Sequence, residues 1–265
     1  MNRSLVAPLA AVLALGTAIA EASPVASSEL SNFQFQLIDL DPADGLTPWI
    51  DLSAFPNSQV SIVGDASGGD QGTSVFGPVT ALVNGQYGLL GAAFIDGDLS
   101  SGGSAQSFAM TEAYPGQFPS VTATAMVGSS SPAALFTLSP HTEVRVTGSA
   151  DATASTARDY GSSEIADGRV EFAFLTALGN FESRDVLDVL SYSVDPSSLN
   201  KSGQADLSVS FFNPTDTATQ GSFYVKVSTQ AAFGPAVIPE PGKAALMLGA
   251  LGAMVLLGRV RRRAT

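Results

Sequence analysis

Apolar and polar side chains alternate along four short stretches in which every second residue is apolar. The clearest examples are NFQFQLIDL (32–40), RVEFAFLTAL (169–178), ADLSVSFF (205–212) and GSFYVKVST (221–229). Alternation with a period of two is typical of β-strands that bury one face and expose the other. In the second stretch it predicts Val170, Phe172 and Phe174 on one face, with Glu171 and Ala173 on the opposite face.

Turn-forming residues separate these stretches, in segments such as DPADG (41–45), GDASGGDQG (64–72) and DPSSLN (195–200). No internal segment has apolar residues at helical spacing, and no repeat of fixed period is present. About 10 to 13 short strands with polar turns predict an all-β protein, an antiparallel β-sandwich or jelly-roll. We expect one such domain over residues 21–236.

Both ends of the chain carry apolar segments of a different kind. Arg3 precedes an apolar run that ends in Ala18-Ile19-Ala20, a small-x-small cleavage site, so residues 1–20 are predicted to be a secretory signal peptide. At the other end, residues 244–258 form an uncharged apolar run, about 22 Å long as a helix. We expect a transmembrane helix here, whose basic C-terminus stays on the cytoplasmic side.

The last segment, residues 237–265, combines a proline-rich triplet, the apolar run and a basic cluster, in that order. The residues concerned are Pro239, Glu240, Pro241, Arg259, Arg261, Arg262 and Arg263. This arrangement resembles the PEP-CTERM sorting signal of exported proteins in Gram-negative bacteria that make extracellular polysaccharide. The resemblance implies recognition by an exosortase, a membrane transpeptidase that cuts near the triplet. It also implies localisation to the cell envelope, the cell surface or the extracellular matrix.

The negative charge of the chain limits the classes of molecule that it can bind. The whole sequence carries −12, and all 24 acidic residues but only six basic ones lie between residues 21 and 240, which gives −18 there. Such a surface repels nucleic acid, so we expect no nucleic-acid partner. The sequence has no cysteine, which excludes disulfides and thiolate zinc sites.

Few residues suggest catalysis. His141 is the sole histidine and is predicted to be a surface residue at the start of a strand. A glycosidase needs two facing acids, and nothing in the sequence selects a pair among the candidates. Those candidates are Glu112, Glu143, Glu164, Glu171 and Glu182. We therefore expect no enzymatic activity and no obligatory cofactor.

A metal site is the most specific chemistry that the residues offer. In DLDPADG (39–45), Asp39, Asp41 and Asp44 supply hard oxygen ligands of the kind that calcium prefers. The spacing does not match an EF-hand, because the third acid comes one residue late and Ile50 stands where the closing glutamate belongs. The alternative is an ordinary turn that ends a strand.

These observations predict an exported, non-enzymatic protein with a structural or adhesive role in an extracellular polysaccharide matrix. The link to a matrix comes from the PEP-CTERM resemblance. Two alternatives stay open on the same fold: a carbohydrate-active hydrolase and a calcium-dependent glycan-binding module. The membrane is expected to be a partner only through the C-terminal helix, at least transiently.

The sorting hypothesis makes a direct prediction for Glu240→Ala. If an exosortase reads the triplet, this variant escapes processing and accumulates as a larger form in the membrane fraction. Immunoblotting of cell fractions, with mass spectrometry of the C-terminus, measures both properties. A variant that matches the wild type in mass and location would contradict the hypothesis.

Overall fold

A computed structural model of the chain describes residues 23–52, 59–65, 70–76, 80–84, 90–96, 103–112, 118–128, 136–156, 163–193 and 199–234. These residues belong to one compact unit within Met1–Pro235. The predicted signal peptide (1–20), the apolar run (244–258) in which a transmembrane helix is expected, and the triplet with its arginines lie outside the described residues. In the described part, no helix is long and apolar enough to cross a membrane.

The described residues form fourteen β-strands and no helix, which confirms the predicted all-β class. The strands are β1 Val25–Asp39, β2 Ile50–Asp51, β3 Gln59–Asp65, β4 Asp70–Phe76, β5 Thr80–Asn84, β6 Leu90–Asp96, β7 Ser104–Met110, β8 Ser120–Gly128, β9 Phe136–Leu138, β10 Thr142–Ser155, β11 Ser163–Thr176, β12 Phe181–Tyr192, β13 Asn200–Asn213 and β14 Thr219–Gly234.

The strands assemble into two antiparallel sheets. The six-stranded sheet has the order β13-β10-β1-β7-β6-β5. The eight-stranded sheet has the order β12-β11-β14-β8-β3-β4, and the short β9 joins it by pairing with both β14 and β2. Neighbours in each sheet are mostly distant in sequence, so the centre of each sheet is built from both halves of the chain.

The two sheets pack face to face across one hydrophobic core, in a sandwich-like arrangement. The six-stranded sheet contributes Leu30 and Phe33, and the eight-stranded sheet contributes Phe172 and Phe223, all fully buried. The Phe33 and Phe172 rings meet edge to face at 5.7 Å between centroids. We call the face of each sheet that points away from this core its outer face.

Along one side of the sandwich, hydrogen bonds from backbone amides to side chains join the edge strands of the two sheets. The amides of Ser208 and Ser210, on the edge strand β13, donate to Asp185 Oδ2 at 2.9 Å and to Ser183 Oγ at 3.3 Å. Both acceptors lie on β12, the edge strand of the other sheet. Amide groups that would otherwise attract another strand are therefore satisfied within the molecule.

Neighbouring phenylalanines in β13 provide a test of this packing. Phe211 is 4% exposed and Phe212 is 47% exposed, although they are adjacent in sequence. Phe211→Ala should lower the free energy of unfolding by about 3–5 kcal/mol, because it empties a closely packed site. Phe212→Ala should change it by no more than about 0.5 kcal/mol. Urea unfolding followed by circular dichroism measures both, and equal effects would contradict the assigned register.

Candidate functional site

The three aspartates that follow β1 fold their own loop. Asp39 Oδ1 accepts the amide of Asp41 at 3.0 Å, and Asp41 Oδ1 accepts the amide of Ala43 at 3.2 Å. Asp44 Oδ1 accepts the amide of Leu46 at 2.7 Å. Each is a bond from an aspartate to the backbone two residues later, the pattern of an Asx-turn. One oxygen of each predicted calcium ligand is therefore already used by the loop.

His141, in the turn between β9 and β10, contacts one of these aspartates and a fourth one from the turn between β13 and β14. Its Nδ1 lies 3.0 Å from Asp44 Oδ2, and its Nε2 lies 2.9 Å from Asp216 Oδ1. Donor atoms of Asp41, Asp44 and His141 all lie within 4.8 Å of one another. Asp39 is not part of this group. The structure thus brings together two of the three predicted ligands and adds a histidine from 97 positions further along the chain.

A buried asparagine joins the β9–β10 turn, which carries His141, to the β13–β14 turn. Asn213 is fully buried, and its Nδ2 donates to Ser139 O at 2.8 Å and to Thr217 O at 2.9 Å. The His141 amide donates to Thr215 O at 3.3 Å. His141 itself adopts a left-handed conformation with φ of 46°, which is uncommon for a residue other than glycine.

The charges of this cluster favour an ion pair. The hydrogen bond to Asp44 raises the pKa of His141, and the charge of Asp216 acts in the same direction. The pKa of Asp44 is lowered, first by the bond from the Leu46 amide and then by the bond to His141. In the protonated imidazole both ring nitrogens donate, one to each carboxylate.

A second site lies on the outer face of the six-stranded sheet, where a groove of about 220 Å³ runs across the strands. Two rows of outward side chains, about 7 Å apart along the strands, form its walls. In one row Glu29 stands between Gln106 and Asp151, and in the other Ser27 stands between Phe108 and Thr153. We call this the outer groove; it is lined by Ser27, Ser28, Glu29, Ala92, Gln106, Ser107, Phe108, Asp151, Ala152 and Thr153.

The outer groove combines polar side chains with a buried apolar floor. The hydroxyls of Ser27 and Thr153 are hydrogen-bonded to each other at 2.7 Å. Glu29 and Asp151 are direct cross-strand partners, a placement that brings two negative charges together. No lysine or arginine is among the described residues that line the groove. Phe108 is buried in a small cluster with Ala92 and Met110.

A third polar cluster, on the outer face of the eight-stranded sheet, centres on Glu171. Arg169 Nη2, Arg184 Nε and Tyr224 Oη reach its carboxylate at 2.9, 2.6 and 2.6 Å. Burial acts to raise the pKa of Glu171, but the bonds from Arg184 and Tyr224 and the arginine charges outweigh it, so the pKa is lowered. A carboxylate held in this way serves as a structural anchor rather than as a general acid.

Glu143 is held similarly. Its Oε1 accepts bonds from Arg145 Nη2 and Ser210 Oγ, both at 2.8 Å. Two of the five glutamates considered from the sequence are therefore committed to ion pairs. The acids that do stand opposite each other on neighbouring strands are Glu29 and Asp151, which the sequence did not single out.

Comparison with known proteins adds little to this geometry. No protein-family model and no curated protein matches the chain. Among solved structures, an arabinose-bound α-L-arabinofuranosidase aligns with 43% of this chain and 22% of its own, at 14% identity and a TM-score of 0.14. The chain thus spans about a fifth of the length of that enzyme, and a similarity of this size carries no argument about fold or activity.

Asp167, next to the Glu171 cluster, gives a pH-dependent prediction. Burial raises the pKa of Asp167 to about 6, and the charge of Asp188 adds to this effect. Its Oδ1 is buried without a hydrogen-bond partner. Because the folded state binds this proton more tightly than the unfolded state, the Asp167 contribution to stability falls as pH rises from about 4 to 6.

Asp167→Asn should remove that contribution. We expect the variant to gain roughly 1–2 kcal/mol over the wild type at pH 7, after a discount for partial exposure, and nothing near pH 4. Urea unfolding at several pH values measures the difference. Asp206→Asn, which removes one charge from an exposed position on the other sheet, is the control. A gain that does not depend on pH would contradict the assignment.

Proposed function

We propose that this chain is an exported, non-enzymatic protein that binds a neutral polysaccharide in the outer groove. Its role would be structural or adhesive, within an extracellular matrix or at the cell surface. The observation that carries the proposal is the groove itself, in which paired acids, an amide and two hydroxyls stand on one face of the sheet above a buried apolar floor.

The chemistry of the groove suits a sugar ring. Carboxylate and amide oxygens of Glu29, Asp151 and Gln106 accept bonds from sugar hydroxyls, and charge-assisted bonds of this kind are strong. Phe108 and Ala92 lie beneath these polar groups and are almost fully buried, so they form an apolar floor and the polar side chains make the contacts to the ring. The volume of about 220 Å³ is below that of pockets for drug-sized ligands, about 300–1,000 Å³, so we infer that one sugar unit of a longer chain enters.

The charge of the groove selects the class of polysaccharide. Two facing carboxylates without a lining cation repel uronic acids and sulfated sugars. The acidic balance of the whole chain, −12, has the same effect at longer range. We therefore infer a neutral glycan rather than an anionic one.

In this proposal the two ends of the chain direct its export and its localisation outside the cell. The signal peptide (1–20) directs export, and the segment 237–265 is read by an exosortase, which cuts near Pro239, Glu240 and Pro241. The apolar helix at 244–258 contacts the membrane until that step. The two-sheet domain, with a jelly-roll-like scaffold, is then delivered to the polysaccharide outside the cell.

A hydrolase is the second candidate, and one observation favours it. Glu29 and Asp151 are two acids on facing positions of neighbouring strands, in a groove, and a glycosidase needs a pair of carboxylates that flank the bond it cleaves. The two proposals separate cleanly, because a hydrolase releases new reducing ends and a binding protein does not.

Binding measurements with defined polysaccharides test the proposal. We expect the protein to bind at least one of dextran, xylan and galactan in affinity electrophoresis, and not to bind alginate, a polyanion. Glu29→Ala should weaken that binding roughly 10- to 100-fold, since a lost bond to a charged group costs about 1.5–3 kcal/mol. Glu182→Ala makes the same change of charge on β12, in the other sheet, and should leave binding intact.

Three results would reject the proposal. One is preferred binding of alginate, and another is equal loss of binding in both glutamate variants. The third is release of reducing ends by the wild type that stops in Glu29→Gln, which would establish the hydrolase instead.

A further inference from the structure

Loop 40–49 and the β9–β10 turn bring three metal-ligating groups of two chemical kinds together. Asp41 and Asp44 come from the loop, and His141 comes from the turn. The chain has no other histidine. An imidazole nitrogen among carboxylates is a donor set for ions such as zinc, copper or nickel.

We propose that Asp41, Asp44 and His141 form a binding site for a divalent transition-metal ion of the zinc type, which ties loop 40–49 to the β9–β10 turn. The three protein ligands leave a fourth tetrahedral position for water or for an outside ligand. This site is separate from the outer groove, so the inference does not depend on the proposed function.

The distances suit a small ion. His141 Nδ1 and Asp44 Oδ2 are 3.0 Å apart, and two ligands about 2.0–2.2 Å from a tetrahedral zinc ion are themselves about 3.4 Å apart. Asp41 is exposed, so its side chain can turn to close the remaining gap. On binding, the ion would take the place of the hydrogen bond between His141 Nδ1 and Asp44 Oδ2.

Asp216 completes the arrangement from the other side of the ring. Its Oδ1 lies 2.9 Å from His141 Nε2. Histidines that ligate a metal commonly donate their second N–H to a carboxylate, which fixes the tautomer and orients the ring. With the ion bound, that bond would keep the remaining ring proton on Nε2 and leave Nδ1 as the ligand atom. Asp216 is thus a positioning residue rather than a ligand.

Calcium fits the same loop poorly. It takes six to eight oxygen ligands, whereas Oδ1 of Asp39, Asp41 and Asp44 each accepts an amide of the loop. The oxygens that remain come mainly from two carboxylates, beside a nitrogen donor that calcium does not prefer. The ligand atoms present therefore favour a zinc-type ion over the calcium ion that the sequence suggests for this loop.

Titration calorimetry on the untagged full-length chain, with zinc and with calcium as the probes, tests the inference. We expect zinc to bind one site at least tenfold more tightly than calcium, and to raise the unfolding temperature by mass action. Cobalt should bind there too and give the visible absorption of a four-coordinate ion. His141→Asn removes the imidazole with a residue that tolerates the left-handed conformation, and it should weaken zinc binding at least tenfold.

Two further variants distinguish ligands from neighbours. Asp44→Asn should weaken zinc binding as His141→Asn does, and Asp39→Asn, in the same loop, should not. The inference is overturned if the wild type does not bind zinc in the folded state, if calcium binds more tightly, or if His141→Asn binds zinc as the wild type does. Equal losses in Asp39→Asn and Asp44→Asn would also overturn it, because they would indicate diffuse binding to negative charge.

Discussion

Burial of one face of each sheet against the other is the interaction on which the whole structure depends. The chain has no cysteine, so no disulfide joins the sheets. Phenylalanines provide much of the contact instead: Phe33 meets Phe172, and Phe136 lies edge to face with Phe211 at 5.2 Å. Close packing also requires small residues, and a side chain at Gly148 would lie 2.8 Å from Leu30.

Because the core occupies the inner faces, the two outer faces can carry charged side chains. The two sheets arrange these charges differently. On the eight-stranded sheet, opposite charges pair around Glu171, and the result is cohesion within the sheet. On the six-stranded sheet, Glu29 and Asp151 face each other with no cation among the described groove residues. The second arrangement costs stability, and we interpret an unbalanced pair in a groove as a feature that serves binding.

The sequence predicted the parts of the fold that rest on large side chains. β11, β13 and β14 alternate phenylalanine and valine with polar residues, and Phe172, Phe174, Phe211 and Phe223 are all buried as expected. The first part of β1 and the last part of β10 escaped prediction. Their inward residues include Ala26, Ala150, Ala152 and Ala154, which carry little hydrophobic signal.

The same weakness explains why the sequence did not reveal the outer groove. Ser27, Glu29, Asp151 and Thr153 lie in those two unpredicted segments, so nothing indicated that they would be neighbours. β4 is a similar case, since its first residues fall in a glycine-rich stretch that reads as a loop. The hydrogen bond between Asp44 and His141 joins residues 97 positions apart. A local sequence pattern cannot predict a contact between residues so far apart in the chain.

The pairing order of the strands also affects when the chain can fold. β1, the first strand, has β10 and β7 as its partners, and β14, the last strand, is paired with β8, β9 and β11 near the centre of the other sheet. Contacts between distant segments form late, because closing long loops costs entropy. A chain that emerges from a ribosome or a narrow pore with its N-terminus first therefore completes the six-stranded sheet only when β13, which ends at Asn213, is available. It completes the eight-stranded sheet only when β14, which ends at Gly234, is available. Until then the core between the sheets cannot be closed completely, a timing that the order of the strands along the chain imposes.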